Sequence, residues 1–167
     1  MRSFLLTTTI LVSMAFAQAQ TVKPAVEQAK PDPSAAATDL SGYWITANKA
    51  NIIHFSKTGD TYAGKIVWMR HSKDKSGKPL MDVKNPDKTK HSSPVLGSQM
   101  LSNLKYNPRS GYYEGGTAYQ YNLGRTLNVK VKLLNNGRTL EVVAMNGPLL
   151  SRTAYWTRTN GVPSSLK

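Results

Sequence analysis

The sequence predicts an all-β fold: an antiparallel up-and-down barrel of about eight strands, with a β-sandwich as the alternative. Short runs rich in β-branched and aromatic residues recur from Asp39 onward, with turn residues between them. No helical pattern alternates with these runs, which argues against a parallel α/β fold. The first run contains Gly42 and Trp44, and the last contains Trp156 and Arg158. If these two runs pair, the sheet closes on itself.

The residues at the two ends of the predicted sheet favour closure. A glycine at position 42 allows a bulky group to approach the backbone closely. Trp44 supplies a large apolar plug, and the Arg158 guanidinium can stack on an indole face. Trp156 belongs to the same closing group. An eight-stranded barrel of this kind is either filled by side chains or holds one small ligand.

The chain begins with a segment that we do not assign to the barrel. Residues 1–19 are predicted to be a secretory signal peptide, because Arg2 precedes an apolar run that ends in Ala-x-Ala sites at Ala17 and Ala19. The run is short of the roughly 20 residues that span a bilayer. Residues 20–38, rich in Pro and Ala, are predicted to be a flexible linker. We therefore expect an exported protein, periplasmic or secreted, that is not transmembrane.

Each strand is predicted from apolar alternation between turn residues. The run 125–134 has the clearest alternation, and Asn135-Asn136-Gly137 after it predicts a hairpin turn. The run 95–104 also fits a helical spacing, and Gly115-Gly116 predicts a bulge or sharp bend. The predicted strands are 42–47, 52–56, 62–69, 95–104, 111–120, 125–134, 139–145 and 151–158. They form one domain over 39–160, and 161–167 are a C-terminal tail.

The composition limits the partners. The chain carries 22 Lys and Arg against 9 Asp and Glu, a formal net charge of +13, and no cysteine. The fold therefore depends on its core without disulfides. A basic exported protein is attracted to anionic envelope surfaces. Nucleic acid, the other usual partner of basic proteins, is not expected for an exported chain.

The segment 70–93 is long for a loop inside a compact domain, and such loops are usually functional or mobile. Asp82, Asn85 and Asp87 within it are a candidate functional cluster, because oxygen ligands at short spacing can collect a hard cation. Asn-Pro-Asp is also a common turn, and neighbouring lysines oppose a cation, so the turn interpretation is favoured.

Other site chemistry finds little support. The histidines, His54, His71 and His91, are too few and too scattered for a zinc site, so we expect no metal and no cofactor. No Gly-x-Ser-x-Gly motif or pair of strand carboxylates suggests a hydrolase. A non-enzymatic protein is the expectation, with an uncharacterised enzyme as the weakest alternative.

Inward-facing positions of the predicted strands are candidates to line a ligand pocket, or simply to fill the barrel. The first hypothesis is a barrel that binds an apolar or amphipathic small molecule or a lipid, with lysines such as Lys65, Lys84, Lys130 and Lys132 attracting an anionic head at the mouth. The alternative is a packed barrel whose basic outer face docks on an anionic membrane or polymer. The candidate lining residues are Tyr62, Ile66, Trp68, Tyr113, Tyr119, Leu127, Val129 and Val131.

A series of short motifs in a fixed order carries a resemblance to a known family. The chain resembles the exported bacterial family catalogued as domain of unknown function 2147 over roughly 40–159, apart from Lys88 to Ser93, where that family tends to have arginine and leucine. The resemblance implies a lipocalin-like barrel and no established activity. The motifs are Gly42-Tyr43-Trp44, Gly64-Lys65-Ile66-Val67-Trp68, Asp82-Val83-Lys84-Asn85-Pro86-Asp87, Pro94-Val95-Leu96-Gly97, Leu101-Ser102-Asn103-Leu104, Gly115-Gly116-Thr117-Ala118-Tyr119, Gly124-Arg125-Thr126-Leu127 and Trp156-Thr157-Arg158.

Overall fold

Residues 39–147 and 149–164 are described by a computed structural model. The predicted signal peptide, the predicted linker and the last three residues of the tail lie outside the described residues. The described strands are β1 (Gly42–Ile45), β2 (Asn51–Thr58), β3 (Thr61–Met69), β4 (Gln99–Asn107), β5 (Tyr112–Gln120), β6 (Arg125–Leu134), β7 (Thr139–Met145) and β8 (Ser151–Thr159), with a short 3₁₀ turn over Lys88–Lys90.

The strands form a closed barrel in sequence order, β1 to β8, and every neighbouring pair is antiparallel. The closing pair is β1 with β8, in which Trp44 lies opposite Arg158. The predicted up-and-down barrel is therefore confirmed, and the sandwich alternative is wrong.

Local sequence explains most strand boundaries. β6 and β7 join through Asn135, Asn136 and Gly137, which all adopt positive φ as the predicted hairpin requires. β5 shifts register between Tyr113 and Gly116, so the predicted irregularity at the glycine pair is confirmed. β4 begins later than predicted, at Gln99, because the Ser98 N–H donates to the Val95 carbonyl and forms a turn there.

Antiparallel hairpins place the connections at two ends of the barrel. The end that carries both chain termini also holds the turns after β2, β4 and β6; we call it the closed end. The other end, which we call the open end, holds the turns after β1, β5 and β7 and the long segment 70–98 between β3 and β4.

Large side chains fill the half of the barrel toward the closed end. Trp44, Phe55 and Tyr113 are almost completely buried there, and Tyr62 meets Tyr113 edge to face at 5.3 Å between ring centroids. The Trp44 indole N–H donates to the Leu40 carbonyl at 3.1 Å, which satisfies its one polar atom. This half is a packed core of aromatic side chains.

One predicted inward residue lies on the opposite face. The register between β2 and β3 shifts so that Ile53 pairs with Ile66 but Ile52 pairs with Trp68. Paired residues share a face of the sheet, and Ile53 faces the core, so Trp68 is on the outer face with Ile52. Trp68 is half-buried, and Met69 enters the core in its place. The prediction that Trp68 lines the interior is wrong because it assumed an uninterrupted alternation.

The segment 70–98 is held against the barrel by backbone hydrogen bonds. The Ile66 N–H donates to the Ser98 carbonyl, and the Gly97 N–H donates to the Ile66 carbonyl. Val95 is buried in the core cluster and Leu80 packs against it. The segment therefore belongs to the folded barrel and covers part of its open end.

Candidate functional site

A cavity of about 200 Å³ occupies the half of the barrel toward the open end. It exists because three inward positions on β5, β7 and β8 are alanines, Ala118, Ala144 and Ala154, where the other half has aromatic rings. Trp156 borders the cavity and its ring lies 6.5 Å from that of Phe55. The remaining lining is Met100, Leu101, Gln120, Leu127, Val129, Val142 and Arg152.

The cavity continues into a mouth of about 340 Å³ at the open end. Four residues border both spaces: Gln120, Leu127, Ala144 and Arg152. Arg125 completes the polar part of the mouth, and the others around it are Leu123, Asn146, Leu150 and Ser151. The site is therefore an apolar chamber under a basic entrance.

Strand alternation aims these polar groups at the mouth. Gln120 follows inward-facing Ala118 by two residues, Arg125 precedes Leu127 by two, and Arg152 precedes Ala154 by two. The Arg125 Nε–H donates to the Gln120 Oε1 at 3.1 Å, which orients both side chains. The lining of the mouth holds two guanidinium groups and no carboxylate.

Neither arginine of the mouth forms an ion pair with a carboxylate of the described residues. The two ion pairs in residues 39–147 and 149–164 are Lys90 with Asp87 and Lys105 with Asp60, both away from the mouth. Arg152 is exposed, so its guanidinium is available to an anion that enters the mouth.

The predicted lining residues divide into three groups. Leu127 and Val129 border the cavity. Tyr62, Ile66, Tyr113 and Val131 are buried in the packed core instead. Trp68 and Tyr119 lie on the outer face; Tyr119 pairs with Thr126, one step from the inward pair Ala118 and Leu127. The prediction for Tyr119 is wrong because the bulge at Gly115 resets the alternation along β5.

Three of the four predicted closing residues meet at the closed end. The Arg158 guanidinium carbon lies 4.3 Å from the centroid of the Trp44 ring. Gly42 has φ +112°, and a Cβ there would come within 3.1 Å of an Arg158 guanidinium nitrogen. Trp156 is outside the β1–β8 pairing, which runs from Thr157 to Thr159 on β8, and belongs to the cavity lining instead.

Arg158 bonds three backbone carbonyls that belong to two separate segments of the chain. Its Nη1 donates to the Ser41 carbonyl at 2.6 Å, its Nη2 to the Asp39 carbonyl at 2.8 Å and its Nε to the Gly137 carbonyl at 2.6 Å. Burial lowers the pKa of Arg158, and the Asp39 carboxylate nearby opposes that shift. The arginine remains charged, because its pKa starts far above neutral. This cluster fixes the closed end and does not form a site.

The cluster in segment 70–98 is a structured turn. The Asp82 carboxylate is buried and accepts from the Tyr119 hydroxyl at 2.7 Å and from the Asn85 side-chain amide at 2.7 Å. Asp87 caps the 3₁₀ turn by accepting from the Thr89 N–H at 3.0 Å. These oxygens are engaged by protein donors, which supports the turn interpretation. Among the described residues no group of His, Cys, Asp and Glu is arranged to hold a metal ion.

A polar groove of about 600 Å³ lies outside the barrel wall between this turn and the outer face of β4 and β5. Asp82 and Tyr119 border it, together with Ser93, Gln99 and Ser102. Burial and the hydrogen bond to Asp82 raise the pKa of Tyr119 to about 12. The hydroxyl therefore stays protonated and holds the turn to β5 at neutral pH.

The lysines proposed for the mouth lie mostly elsewhere. Lys130 and Lys132 sit on the outer wall, with their ammonium groups 4.5 and 5.1 Å from the centroid of the Tyr112 ring. Lys65 is exposed on the outer face opposite His54. Lys84 alone is at the open end, where its Nζ donates to the Asn122 carbonyl at 2.8 Å. Gln120, Arg125 and Arg152 were not predicted from the sequence, although each occupies a strand end at a position whose parity faces inward.

No part of the chain that the structure describes contains a helix long and apolar enough to cross a membrane.

Comparison with known proteins supports the assignment of the fold. A model of the family described as "Uncharacterized protein conserved in bacteria (DUF2147)" matches residues 42–158. A solved structure, that of protein HP1028 from the human pathogen Helicobacter pylori, described as belonging to the lipocalin family, superposes with a TM-score of 0.61 at 23% sequence identity, covering 73% of this chain and 84% of that one. No curated protein sequence matches the chain.

Proposed function

Because the chain belongs to the DUF2147 family of uncharacterised bacterial proteins and forms a lipocalin-like barrel, we propose that it is an exported, non-enzymatic protein that binds a small amphipathic anion. The apolar part of the ligand enters the chamber beside Ala118, Ala144 and Ala154. Its anionic head stays in the mouth, at Arg125 and Arg152.

The observation that carries this proposal is the placement of both arginines over an apolar chamber. Ligand sites are usually concave and mostly apolar, with a few convergent polar groups that fix orientation. A guanidinium can bind a carboxylate or phosphate through two parallel hydrogen bonds. Gln120, which already accepts from Arg125, adds a neutral donor at the same level.

The dimensions favour a modest ligand. The chamber of about 200 Å³ is smaller than the range of roughly 300–1,000 Å³ typical of sites for drug-sized molecules, and the mouth adds the space that a head group needs. The packed aromatic half below prevents deeper entry. A single acyl chain of short or medium length with a carboxylate or phosphate head has the matching shape.

The proposal is tested by displacement of a fluorescent anionic probe with straight-chain fatty acids and with the corresponding fatty alcohols. We expect the acids to bind more tightly than the alcohols of equal length. The variant Arg125→Gln/Arg152→Gln should remove most of this difference, about tenfold or more, because charge-assisted hydrogen bonds contribute roughly 1.5–3 kcal/mol.

The chamber is tested by filling it. Ala144→Leu adds three carbons inside the cavity and should weaken acids and alcohols alike by about tenfold or more, with no loss of folding stability. Val143→Leu, on the outer face of the same strand, is the matched control and should bind as the wild type does. Equal binding by Ala144→Leu, or no displacement by any chain length, would overturn the proposal.

A further inference from the structure

Exposed apolar side chains are concentrated at one end of the barrel. Six of the nine large hydrophobic residues that are exposed within the described chain belong to the connections of the open end. Leu149 is 93% exposed, Leu150 67% and Val83 62%. The others at this end are Met81, Leu96 and Leu123, whereas Val67 and Tyr155 lie on the wall and Tyr106 near the closed end.

These residues come from three connections of the open end, and two of them line the mouth. Leu123 and Leu150 both border the mouth, from the turns after β5 and β7. Lys84 holds segment 70–98 to the turn after β5 through its bond to the Asn122 carbonyl, which brings neighbouring Val83 to the same rim. Val83, Leu123, Leu149 and Leu150 are thus exposed on three connections at the end where the mouth opens; we call these four side chains the apolar rim.

Positive charge accompanies the apolar rim. Arg125 and Arg152 lie in the mouth and Lys84 beside it. The chain as a whole has a formal net charge of +13. Exposed leucines interspersed with basic residues are the combination that binds the interface of anionic membranes, where apolar groups enter the acyl boundary and cations meet the headgroups.

We propose that the open end docks on the surface of a membrane containing anionic phospholipids, with the apolar rim inserted and the mouth facing the lipid. This inference goes beyond ligand binding, because docking requires the rim and not the chamber. It also gives the chamber direct access to lipid-derived molecules without passage through water.

A second copy of the chain is a less suitable partner for this surface. A symmetric dimer through the open ends would place Arg125, Arg152 and Lys84 of each copy against the same residues of the other. Like charges facing each other across an interface oppose association. An anionic lipid surface complements those charges instead.

The test uses the full protein and vesicles of phosphatidylcholine with and without phosphatidylglycerol, with binding measured by co-sedimentation. We expect binding at least about tenfold stronger to the anionic vesicles, weakening as salt is added. The variant Val83→Ser/Leu149→Ser should lose about tenfold or more of the vesicle affinity. Neither residue borders the chamber or the mouth, so this variant should keep the wild-type affinity for soluble fatty acids.

The matched control is Val67→Ser/Tyr155→Ser, which removes two exposed apolar side chains from the barrel wall and should bind vesicles as the wild type does. Circular dichroism checks that each variant folds.

Equal binding to neutral and anionic vesicles would overturn the proposal, as would undiminished binding by Val83→Ser/Leu149→Ser. A dimer in solution that this variant dissociates, with no vesicle binding by the wild type, would assign the rim to self-association. Absence of fatty-acid binding by a wild-type protein that does bind vesicles would count against the ligand proposal only.

Discussion

At the scale of single residues, Arg158 shows how one side chain fixes a fold. Its guanidinium satisfies the carbonyls of Asp39, Ser41 and Gly137 while its face covers the Trp44 ring. The two segments 39–41 and 137 are far apart in the chain and come together only when the barrel closes. Only a planar group with several donors in a fixed arrangement can bond all three carbonyls.

We therefore predict that Arg158→Lys lowers the free energy of unfolding by about 3 kcal/mol, because an ammonium cannot reach all three carbonyls and leaves partly buried acceptors unsatisfied. Urea denaturation followed by tryptophan fluorescence measures the change. Arg152→Lys on the same strand is the control and should stay within about 0.5 kcal/mol of the wild type, since Arg152 is exposed. Equal effects of the two substitutions would mean that the geometry of the Arg158 side chain is unimportant.

Residues with unusual chemistry could be identified from the sequence, and residues defined by register could not. Gly42, Trp44 and Arg158 are recognisable because a glycine, an indole and a guanidinium have few alternative explanations together at the two ends of a sheet. Trp68 and Tyr119 were misplaced because each follows a bulge, and one extra residue reverses the face of every side chain after it. A glycine pair indicates a bulge, but the change of face at Tyr119 depends on the exact register between β5 and β6.

At the scale of elements, most of segment 70–98 forms no regular strand, yet specific contacts fix its conformation. Tyr119 on the outer face of β5 donates to buried Asp82, and Asp82 accepts again from Asn85. The backbone of the segment also forms two isolated antiparallel β-bridges, between Lys73 and Pro79 and between Met81 and Pro94. A run rich in Lys, Ser, Gly and Pro carries no periodic signal, so its order depends on single tertiary contacts that the sequence does not display.

The contact between Tyr119 and Asp82 predicts a pH dependence of stability. The pKa of Tyr119 is raised in the folded protein to about 12 by burial and by the hydrogen bond to Asp82, above the ordinary value near 10. Because the protonated hydroxyl is the form that bonds, its contribution is complete below about pH 10 and is lost as the pH rises through about 12.

The measurement is the denaturation midpoint of the wild type and of Tyr119→Phe across this range. At neutral pH we expect Tyr119→Phe to be less stable by about 1–2 kcal/mol, because one carboxylate oxygen of Asp82 loses its donor. The difference should shrink above about pH 10, because the hydroxyl then ionises in the unfolded wild type while the folded protein keeps it protonated up to about pH 12. A difference that is constant up to about pH 12 would show that the hydrogen bond does not contribute.

Strand order and most strand bounds followed from the sequence, because alternation and turn residues are local. β6 and β7 begin and end as predicted, where Asn135-Asn136-Gly137 separates two runs rich in β-branched and other apolar residues. β1 ends at Ile45, two residues earlier than predicted, since the Thr46 carbonyl already accepts from the Lys49 N–H of the following turn. That turn contains no glycine, so the sequence alone does not indicate the residue at which it begins.

At the scale of the whole molecule, the barrel is divided into a solid half and a hollow half. The division follows from side-chain size at equivalent inward positions: rings at Trp44, Phe55 and Tyr113 toward one end, and alanines at 118, 144 and 154 toward the other. The sequence left filling and lining as alternatives, because side-chain volume has to be summed across strands whose register it does not specify. The structure contains both.

The solid half should control global stability. Trp44→Ala removes a completely buried ring at the pairing of β1 with β8 and should lower the free energy of unfolding by about 3–5 kcal/mol. Amide exchange should then show that all eight strands lose protection together, because opening the closing pair leaves two unpaired sheet edges. A loss below about 1 kcal/mol, or loosening confined to β1, would show that closure is not cooperative with the rest of the barrel.

The positions at which the chain enters β1 and leaves β8 also determine how the protein responds to force. β1 begins and β8 finishes at the same end, side by side and antiparallel, with the Arg158 guanidinium beside the Asp39 carbonyl. A load applied between these two points pulls perpendicular to the strands and breaks the hydrogen bonds one after another, as in the opening of a zip. Single-molecule pulling between these two points should therefore unfold the barrel at low force, and the hydrogen bonds nearest Arg158 should break first. A load applied between the loops of the open end should need a higher force, because it acts on several strands at the same time.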